Sequence, residues 1–467
     1  MAELSELRGA FGGRLLTDAA DTVPFLSDWR RKWQGRAIAV AQPDDTADVA
    51  AVLGWCHAHR VPVVPQGGNT GLSGAATPDA SGQALVLSLT RLNRIRRIDP
   101  ANQTIEVQAG VTLQAVQDAA REAGRLFPLS LAAQGSCTIG GNLATNAGGV
   151  QVLRYGNARE LCLGLEVVTP EGEVWSGLRG LRKDNTGYDL RDLYIGSEGT
   201  LGVITAAVLK LFPLPAAQVA AFIAVPSPQA AVDLLQLAQA RLGAGLTAFE
   251  LMGETCLHLV EKHVPAARFP LGERAPWYVL LELSDTRGEA EAAEAIEGLL
   301  EAAIEQGHAA DAALSSSLAQ FRALWALRED ISESQGAEGK TIKHDIALPI
   351  SRIAGFVQRT LAAVEAAFPG LRAVCFGHLG DGNLHFNFSP APGQAADAFV
   401  ALEGPLNRLV HDAVSAAGGS ISAEHGLGVL RRDESARYKS PVELALMRRI
   451  KAALDPLNLM NPGKVLP

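Results

Sequence analysis

Cysteine is scarce in this sequence and shows no pairing that would indicate disulfide or zinc-ribbon chemistry. The five cysteines are odd in number, lie far apart and never form a C-x-x-C pair. Secreted disulfide frameworks and zinc ribbons both need paired, closely spaced cysteines, so the pattern argues against these classes. We predict buried, reduced thiols at Cys56, Cys137, Cys162, Cys256 and Cys375.

Long apolar runs and clusters of basic residues are also missing. No apolar run reaches the roughly 20 residues that a membrane-spanning helix needs. Acidic residues stand near the N-terminus, where a signal peptide carries positive charge. The formal net charge is -9, and lysine and arginine are scattered along the chain. We therefore expect a cytoplasmic protein with no transmembrane segment and no nucleic-acid partner.

Both common nucleotide-binding motifs are absent, but glycine-rich segments are present. Neither GxxxxGK[ST] nor GxGxxG occurs, which argues against a P-loop and against a Rossmann domain. Instead, the strand-like residues 61–65 run into QGGNTGLSG, whose glycines would let backbone N–H groups reach a phosphate. A flexible surface turn is the alternative interpretation of this segment.

Two further glycine-rich loops repeat this chemistry. Residues 135–149 read GSCTIGGNLATNAGG, and residues 196–202 read GSEGTLG before the β-branched run 203–212, which we predict to be a buried strand. Residues 36–42 are expected to form a strand and residues 46–57 a helix. Together these patterns indicate a domain that binds one extended, phosphate-bearing ligand.

The C-terminal half holds a group of metal-binding residue types. Residues 377–388 read GHLGDGNLHFNF and residues 422–426 read SAEHG, so His378, His385 and Glu424 form a candidate site. Two imidazoles and a carboxylate suit zinc, manganese or iron. The spacing of the histidines fits a tight loop entering a strand and does not fit an H-E-x-x-H helix. Hydrogen-bonded structural histidines are the alternative interpretation.

Taken in order, these motifs resemble one flavoprotein family across nearly the whole chain. QGGNTGL, GGNLATNAGG, YDL with GSEGTLG, and NPGK resemble the FAD-binding fold shared by vanillyl-alcohol oxidases and D-2-hydroxy-acid dehydrogenases. GHLGDGNLH and AEHGLG resemble the signature of its FAD-linked C-terminal branch. Within that branch, PLSLAAQGSCTI and LRKDNTGYDL are most similar to D-2-hydroxyglutarate dehydrogenases.

The resemblance implies an α+β fold of several parts, as expected for 467 residues that are 48% apolar. Residues 1–213 would form a two-subdomain FAD-binding domain of the vanillyl-alcohol oxidase type. Residues 214–425 would form a substrate domain, or cap, with an antiparallel sheet, flanking helices and the metal site. Its strands would include residues 219–225 and 277–283. Residues 426–467 would return to the FAD-binding domain and pack on it.

The resemblance also assigns contacts to FAD. The cofactor would lie along the glycine-rich loops and would be bound non-covalently, since the first loop holds no histidine or cysteine for a covalent link. The residues matched to FAD contacts are Pro65, Gly67, Gly68, Asn69, Thr70, Gly71, Leu72, Ser136, Thr138, Gly141, Asn142, Thr145, Val203, Ile204 and Asn461.

Other matching residues would supply the reaction centre. His378, His385 and Glu424 would hold Zn²⁺ or another divalent metal such as Mn²⁺, and His425 would be the catalytic base. The residues matched to substrate contacts are Arg328, Ser332, Lys343 and Asn387. Relatives often carry threonine at the position of Ser332, so its methyl contact is lost. The alternative for Arg328 and Lys343 is a solvated helix face with acidic neighbours.

The expected reaction is the oxidation of D-2-hydroxyglutarate to 2-oxoglutarate. A base would take the proton of the metal-bound hydroxyl, and the α hydrogen would pass as hydride to FAD. One alternative is a D-lactate or glycolate dehydrogenase with the same residues, and another is a non-catalytic flavin-binding subunit of a redox complex. The electron acceptor would be an electron-transferring flavoprotein, a quinone or oxygen, and no motif selects among them. We also expect a homodimer.

Overall fold

Eighteen strands occur in residues 2–467, the part of the chain that this computed structural model describes. In chain order they are β1 (Arg14–Leu16), β2 (Ala39–Gln42), β3 (Val63–Gln66), β4 (Leu85–Ser88), β5 (Ile95–Asp99), β6 (Thr104–Gln108), β7 (Arg125–Leu126), β8 (Cys162–Val168), β9 (Val174–Gly177), β10 (Val203–Lys210), β11 (Phe212–Pro213), β12 (Ala217–Val225), β13 (Leu246–Gly253), β14 (Trp277–Asp285), β15 (Asp311–Leu314), β16 (Asp345–Ala347), β17 (Arg372–His378) and β18 (Asn383–Ser389).

Helices alternate with these strands. In chain order they are α1 (Ala2–Ala10), α2 (Ala19–Thr22), α3 (Thr46–His59), α4 (Leu113–Glu122), α5 (Ile139–Ala144), α6 (Val152–Tyr155), α7 (Ala158–Leu161), α8 (Arg191–Tyr194), α9 (Pro228–Leu242), α10 (Glu254–His263), α11 (Glu289–Glu305), α12 (Leu318–Glu329), α13 (Ile331–Ala337), α14 (Ile350–Ala367), α15 (Ala396–Val400), α16 (Glu403–Ala416), α17 (Arg432–Tyr438) and α18 (Pro441–Leu454).

The chain divides into two compact units. Residues up to 149, 156–214 and 424–467 make up the first unit, and residues 150–155 and 215–423 make up the second. The short helix α6 belongs to the second unit, where it packs on β13, and nothing in the sequence indicated this. The sequence predicted an FAD-binding domain, a substrate domain and a returning C-terminal segment. These domain assignments stay predictions.

The first unit contains a mostly parallel four-stranded sheet in the order β1-β2-β4-β3, with only β1 antiparallel. Strands that run parallel in one sheet need a crossover connection, and α3 supplies it between β2 and β3. Asp45 caps the start of α3 by accepting the N–H of Asp48 at 2.9 Å. Val49, Val52 and Leu53 of this helix are fully buried in the core that the strands share. The first glycine-rich loop begins where β3 ends.

A second sheet of the first unit is antiparallel, in the order β5-β6-β10-β8-β9. The central strand β10 pairs with β6 on one side and with β8 on the other. Seven of its eight residues are buried, which explains its almost continuous apolar sequence. The predicted buried strand is therefore confirmed, and it ends at Lys210, two residues earlier than expected.

The second unit is built on an antiparallel sheet of seven strands in the order β15-β12-β14-β13-β17-β18-β16. β12 and β14 pair from Ala217 opposite Asp285 to Val225 opposite Trp277. These strands include the segments predicted at 219–225 and 277–283 and extend beyond them. Helices α9 and α11 pack against the same strands. The predicted α+β class, with an antiparallel sheet and flanking helices in the cap, is confirmed.

The hairpin of β17 and β18 carries the two candidate metal-binding histidines. His378 ends β17, and His385 lies in β18 opposite Phe376. The turn between the strands includes Gly382 at φ +90°, where a Cβ would overlap the carbonyl oxygen of Leu348. The predicted tight glycine turn entering a strand is confirmed. The imidazole rings of His378 and His385 lie 5.9 Å apart, centre to centre.

The C-terminal segment is bound to β3 by two backbone hydrogen bonds. The N–H of Val63 donates to the carbonyl of Leu459 at 2.8 Å, and the N–H of Asn461 donates to the carbonyl of Val63 at 2.7 Å. Lys451 of α18 stabilises the turn before this bridge, because its ammonium group lies 2.5 Å from the carboxylate of Asp455. The side chain of Asp455 is only 1% exposed, and Lys451 together with the N–H groups of Leu459 and Met460 provides its hydrogen bonds in place of water.

All five cysteines are buried and free, in agreement with the predicted reduced thiols. Burial raises the pKa of Cys56, Cys162 and Cys256 to about 12, which keeps these thiols protonated and unreactive. Within residues 2–467, no helix is both long enough and apolar enough to cross a membrane.

Replacing Lys451 with methionine should destabilise the first unit. The change removes the cation from a buried carboxylate, and breaking a buried ion pair costs about 3 kcal/mol or more. The midpoint of urea unfolding should therefore fall clearly. Lys439→Met is the control, because Lys439 forms a partly exposed i,i+4 pair with Glu443, and such pairs contribute about 0.5 kcal/mol or less. Equal losses in the two variants would contradict this account.

Candidate functional site

A cavity in the first unit is lined by all three glycine-rich loops. The loops converge beside the end of β3 and the start of β10. The lining residues are Pro65, Gln66, Gly67, Ala75, Ala76, Leu89, Gly140, Gly141, Ala144, Thr145, Tyr194, Ser197, Glu198, Gly199, Gly202, Val203 and Ile204. Backbone and small side chains therefore form much of the surface, as an extended ligand with phosphate groups would require.

Glycine is required where the first two loops approach each other. A Cβ on Gly67 would overlap Oγ1 of Thr138, and a Cβ on Gly68 would overlap the carbonyl oxygen of Ser136. Thr138 in turn caps α5 by accepting the N–H of Gly141 at 3.4 Å. The two loops are therefore neighbours, and the close packing leaves their backbone groups near the cavity.

The structure places the residues matched to FAD contacts in two groups. Six of them line the cavity: Pro65, Gly67, Gly141, Thr145, Val203 and Ile204. The other nine lie outside its lining: Gly68, Asn69, Thr70, Gly71, Leu72, Ser136, Thr138, Asn142 and Asn461. Among these, Asn142 is buried and its Nδ2 donates to Sγ of Cys137 at 3.5 Å, so its amide serves packing. Contact of any of these residues with FAD stays a prediction.

Sequence reasoning assigned no residue of the third loop itself to the cofactor. Tyr194, Ser197, Glu198, Gly199 and Gly202 all line the cavity. The signal was present in the GSEGTLG motif, but only the strand that follows the motif was matched to FAD. A tight turn explains the glycines, since Glu198 and Gly199 have positive φ values of +52° and +69°.

Asn461 links this third loop to the C-terminal segment. Its Nδ2 donates to the carbonyl of Glu198 at 2.7 Å and to that of Ala75 at 3.0 Å. Its Oδ1 is buried and accepts no hydrogen bond from residues 2–467. A buried acceptor without a donor is costly. A ligand that offers an N–H or O–H group at this point would therefore stabilise the site.

The turn that follows His425 is held by two of the glycine-rich loops. Ser73 Oγ donates to the carbonyl of His425 at 3.0 Å. The carboxylate of Glu198 accepts the N–H groups of Leu427 and Gly428 at 2.7 and 2.8 Å. Burial raises the pKa of Glu198, although these N–H groups act in the opposite direction. The backbone next to the predicted base is therefore fixed by loops that also line the cavity.

A buried carboxylate on β13 holds two of the predicted site residues of the second unit. Glu250 is fully buried and lies opposite His378 in the pairing of β13 with β17. One carboxylate oxygen lies 2.6 Å from Nδ1 of His378, and the other accepts the Nε–H of Arg328 at 2.7 Å. Burial alone would raise the pKa of Glu250, but its contacts with His378 and Arg328 outweigh burial and lower it to about 2. The sequence motifs did not indicate Glu250.

The second histidine also has a carboxylate opposite it. Asp345 in β16 pairs with His385 in β18, and Oδ1 of Asp345 lies 3.9 Å from Nδ1 of His385. Asn383 fixes this carboxylate by donating to the same oxygen at 2.9 Å. Because a carboxylate occupies the Nδ1 side of each ring, Nε2 of each histidine points the other way. Metal-binding histidines usually have this arrangement.

Glu424 is positioned beside these histidines by the chain itself. It follows Ala423, whose N–H donates to the carbonyl of Asp345 at 3.2 Å. His378, His385 and Glu424 each offer one ligand atom, and these atoms all lie within 4.8 Å of one another. Two imidazole nitrogens and a carboxylate oxygen at such separations fit a divalent ion such as Zn²⁺ or Mn²⁺. The predicted ligands are brought together, and their binding of a metal stays a prediction.

Arg328 and Ser332 lie on the consecutive helices α12 and α13. Arg328 is only 7% exposed, and its guanidinium lies 4.7 Å from the ring centre of Phe376. The alternative of a solvated helix face is therefore wrong for Arg328. Ser332 is exposed in the first turn of α13. Neither position tests the predicted contact with a substrate.

Both polar atoms of the Asn387 side chain form hydrogen bonds within the protein. Its Oδ1 accepts the N–H of His344 at 3.1 Å, and its Nδ2 donates to Oε1 of Gln335 at 3.1 Å. An amide carries two N–H groups, so one remains for a substrate. Lys343 precedes His344 and is half-buried in the loop between α13 and β16. Substrate binding by Asn387 and Lys343 stays a prediction.

Glu338 anchors the start of the loop that carries Lys343. Its carboxylate binds Lys262, His263 and Arg372 at 2.5, 2.6 and 2.8 Å. These hydrogen bonds lower the pKa of Glu338 to about 2. The loop is thereby tied to the end of α10 and to the start of β17.

Two protein families match this chain. The family described as "FAD linked oxidases, C-terminal domain" matches residues 214–465. The family described as "FAD binding domain" matches residues 37–177. The second match includes the first two glycine-rich loops, and the first match includes the hairpin that carries both histidines.

Curated relatives align over almost the whole chain. A D-2-hydroxyglutarate dehydrogenase from Xanthomonas citri pv. viticola is 42% identical over 452 residues, which cover 97% of this chain and 94% of the relative. The mitochondrial D-2-hydroxyglutarate dehydrogenase of Bos taurus is 40% identical over 466 residues, which cover 100% of this chain and 83% of the relative.

Solved structures share the fold at much lower identity. A structure of p-cresol methylhydroxylase with substrate bound has a TM-score of 0.75 at 17% identity and covers 99% of this chain and 96% of that chain. A structure of alkyldihydroxyacetonephosphate synthase also has a TM-score of 0.75, at 18% identity, and covers 99% of this chain and 84% of that chain. These similarities establish the fold alone.

The hydrogen bonds of Glu338 to Lys262, His263 and Arg372 predict an acid-sensitive contribution to stability. The pKa of this carboxyl is about 2 in the folded chain against an ordinary value of 4.5. The contribution should therefore be complete above pH 4.5 and should decrease as the pH falls from 4.5 towards 2. Glu338→Gln should lower stability at pH 7 and flatten its pH dependence in this window, measured by urea unfolding. Glu301→Gln, at an exposed site on α11, is the control, and an unchanged slope in Glu338→Gln would contradict the prediction.

Proposed function

We propose that this chain, which belongs to the FAD-linked oxidase family, oxidises D-2-hydroxyglutarate to 2-oxoglutarate. Family membership confirms the resemblance inferred from the motifs, and the chain is an FAD-dependent oxidoreductase. The observation that carries the proposal is the group of His378, His385 and Glu424. A hydroxyl-activating group of this kind has no use in a non-catalytic flavin subunit, so we do not favour that alternative.

The first unit has a surface that suits FAD. The glycine-rich loops expose backbone around the cavity, and Asn461, which is hydrogen-bonded to the lining residue Glu198, has a buried acceptor. FAD, when bound, supplies a hydride acceptor. Residues that line the cavity, among them Gly67, Gly141 and Glu198, would hold and orient FAD. The first loop lacks histidine and cysteine, so we propose that the binding is non-covalent.

The donor set of His378, His385 and Glu424 suits a divalent metal. Zinc, or manganese in its place, would supply Lewis-acid activation of a substrate hydroxyl. A carboxylate lies on the Nδ1 side of each histidine, at 2.6 Å from His378 and at 3.9 Å from His385, so Nε2 of each ring would be the nitrogen that binds the metal. His425, next to Glu424 in the chain, would take the hydroxyl proton as a general base.

Arg328 would bind a carboxylate of the substrate. A guanidinium carries five N–H donors, and only the Nε–H is used by Glu250 in the described structure. The Nη groups can therefore form two parallel hydrogen bonds to a carboxylate. Lys343 would supply a second cation for the other carboxylate of a dicarboxylic acid, and Ser332 and Asn387 would add hydrogen bonds. Two cations favour D-2-hydroxyglutarate over D-lactate and glycolate, which have one carboxylate each.

The remaining partners are proposed from the sequence. Electrons would leave through an electron-transferring flavoprotein or a quinone, and the enzyme would act in the cytoplasm as a homodimer. These three statements stay predictions.

Anaerobic bleaching of the flavin tests the proposed reaction. The absorbance of bound FAD should fall on adding D-2-hydroxyglutarate, more slowly with D-lactate or glycolate, and not with the L enantiomers. A chelator should slow the reaction, because it would remove the group that activates the hydroxyl. Faster bleaching by D-lactate would assign the enzyme to the alternative substrate. No bleaching by any of these acids would contradict the proposal.

Lys343→Met tests recognition of the second carboxylate. Loss of one charge-assisted hydrogen bond costs roughly 1.5–3 kcal/mol, so KM for D-2-hydroxyglutarate should rise roughly 10- to 100-fold. KM for D-lactate should change little, because this acid has no second carboxylate. The control is Lys340→Met, an exposed lysine in the same loop. An equal rise in KM for both acids would show that Lys343 does not bind the second carboxylate.

A further inference from the structure

Glu250 is a buried ionic residue for which the proposed reaction has not yet supplied a role. It is 0% exposed, lies on β13, and is remote in sequence from every motif of the site. Its two oxygens have different partners, Nδ1 of His378 and Nε of Arg328. One carboxylate therefore contacts both a proposed metal ligand and the proposed substrate clamp.

The contact at Nδ1 determines which nitrogen of His378 can bind a metal. A neutral imidazole carries one N–H, and only the other nitrogen has a lone pair to offer. A carboxylate only accepts hydrogen bonds, so the proton must lie on Nδ1. Nε2 is then the nitrogen with the lone pair. Asp345 stands in the equivalent place for His385, but at 3.9 Å its contact is weaker.

We propose that Glu250 is a positioning residue that fixes the tautomer of His378, so that Nε2 can bind a metal, and that aligns the guanidinium of Arg328. This inference rests on the proposed function, since it assigns Glu250 a role in the same site. The sheet register supports it, because Glu250 and His378 are directly opposed residues of neighbouring antiparallel strands.

The substitution Glu250→Gln separates this role from simple packing. Glutamine has nearly the same shape, but one oxygen becomes an NH₂ group that can only donate. Arg328 always donates, so the remaining oxygen must face Arg328 and the NH₂ group must face His378. His378 then accepts at Nδ1 and carries its proton on Nε2. The nitrogen meant for the metal is thereby blocked, while the bond to Arg328 is kept.

Metal affinity is the direct readout. Zn²⁺ binding to the FAD-loaded, full-length protein would be measured by competition with a chromogenic chelator. Loss of a hydrogen-bond partner to a metal-binding histidine typically weakens metal binding 10- to 100-fold, and Glu250→Gln should fall in this range. At saturating Zn²⁺, KM for D-2-hydroxyglutarate should change by only a few-fold, because the oxygen that faces Arg328 is retained.

The chain offers a matched control in Glu282 on the neighbouring strand β14. This glutamate is also buried, but its carboxylate binds Thr247 and Gln218 and contacts neither His378 nor Arg328. Glu282→Gln should leave the affinity for Zn²⁺ unchanged. It therefore corrects for the general effect of replacing a buried glutamate in this sheet.

A second variant, Glu250→Asp, distinguishes loss of Zn²⁺ affinity through the wrong tautomer of His378 from loss through disturbed packing. Aspartate keeps both acceptor oxygens but is shorter, so it disturbs packing more than glutamine does. Our inference predicts that Glu250→Asp retains more Zn²⁺ affinity than Glu250→Gln. The opposite order, or wild-type affinity in Glu250→Gln, would overturn it. If the wild-type protein itself bound no divalent metal, the metal part of the proposed function would fail instead.

Discussion

A carboxylate that is completely removed from water is stable only where charges and hydrogen-bond donors replace its hydration. Glu250 satisfies this condition in the centre of the seven-stranded sheet, with His378 on one oxygen and Arg328 on the other. The arrangement depends on register, because a shift of one residue between β13 and β17 would turn Glu250 to the opposite face of the sheet. Strand pairing in the fold therefore determines the geometry of the site.

The two units use buried carboxylates in different ways. In the second unit, Glu250 and Asp345 each lie opposite a histidine of a neighbouring strand, Glu250 opposite His378 and Asp345 opposite His385. In the first unit, Glu198 accepts two backbone N–H groups and so fixes the turn that follows His425. In both units a residue from a distant part of the sequence supports a predicted site residue. The predicted site residues therefore lie in short sequence motifs, whereas the residues that hold them in place lie in strands and loops far away in the sequence.

This division explains what the sequence could and could not predict. The glycine-rich loops and the buried strand β10 are local patterns, so the sequence could predict them. Short motifs also indicated His378, His385 and Glu424, which the structure brings together. Glu250 lies in the strand LTAFELMG, where one acidic residue among apolar neighbours gives no hint of a partner 128 residues away. The association of α6 with β13 depends on tertiary packing, and it also left no local signal.

Anomalous diffraction at the zinc edge, from crystals of the FAD-loaded protein grown with Zn²⁺, would test the central claim most directly. The account predicts one peak at bonding distance from Nε2 of His378, Nε2 of His385 and a carboxylate oxygen of Glu424. The Nδ1 atom of His378 should remain hydrogen-bonded to Glu250. Coordination through Nδ1 of His378, or a zinc ion bound away from these three residues, would contradict the claim that Glu250 directs His378 to a metal.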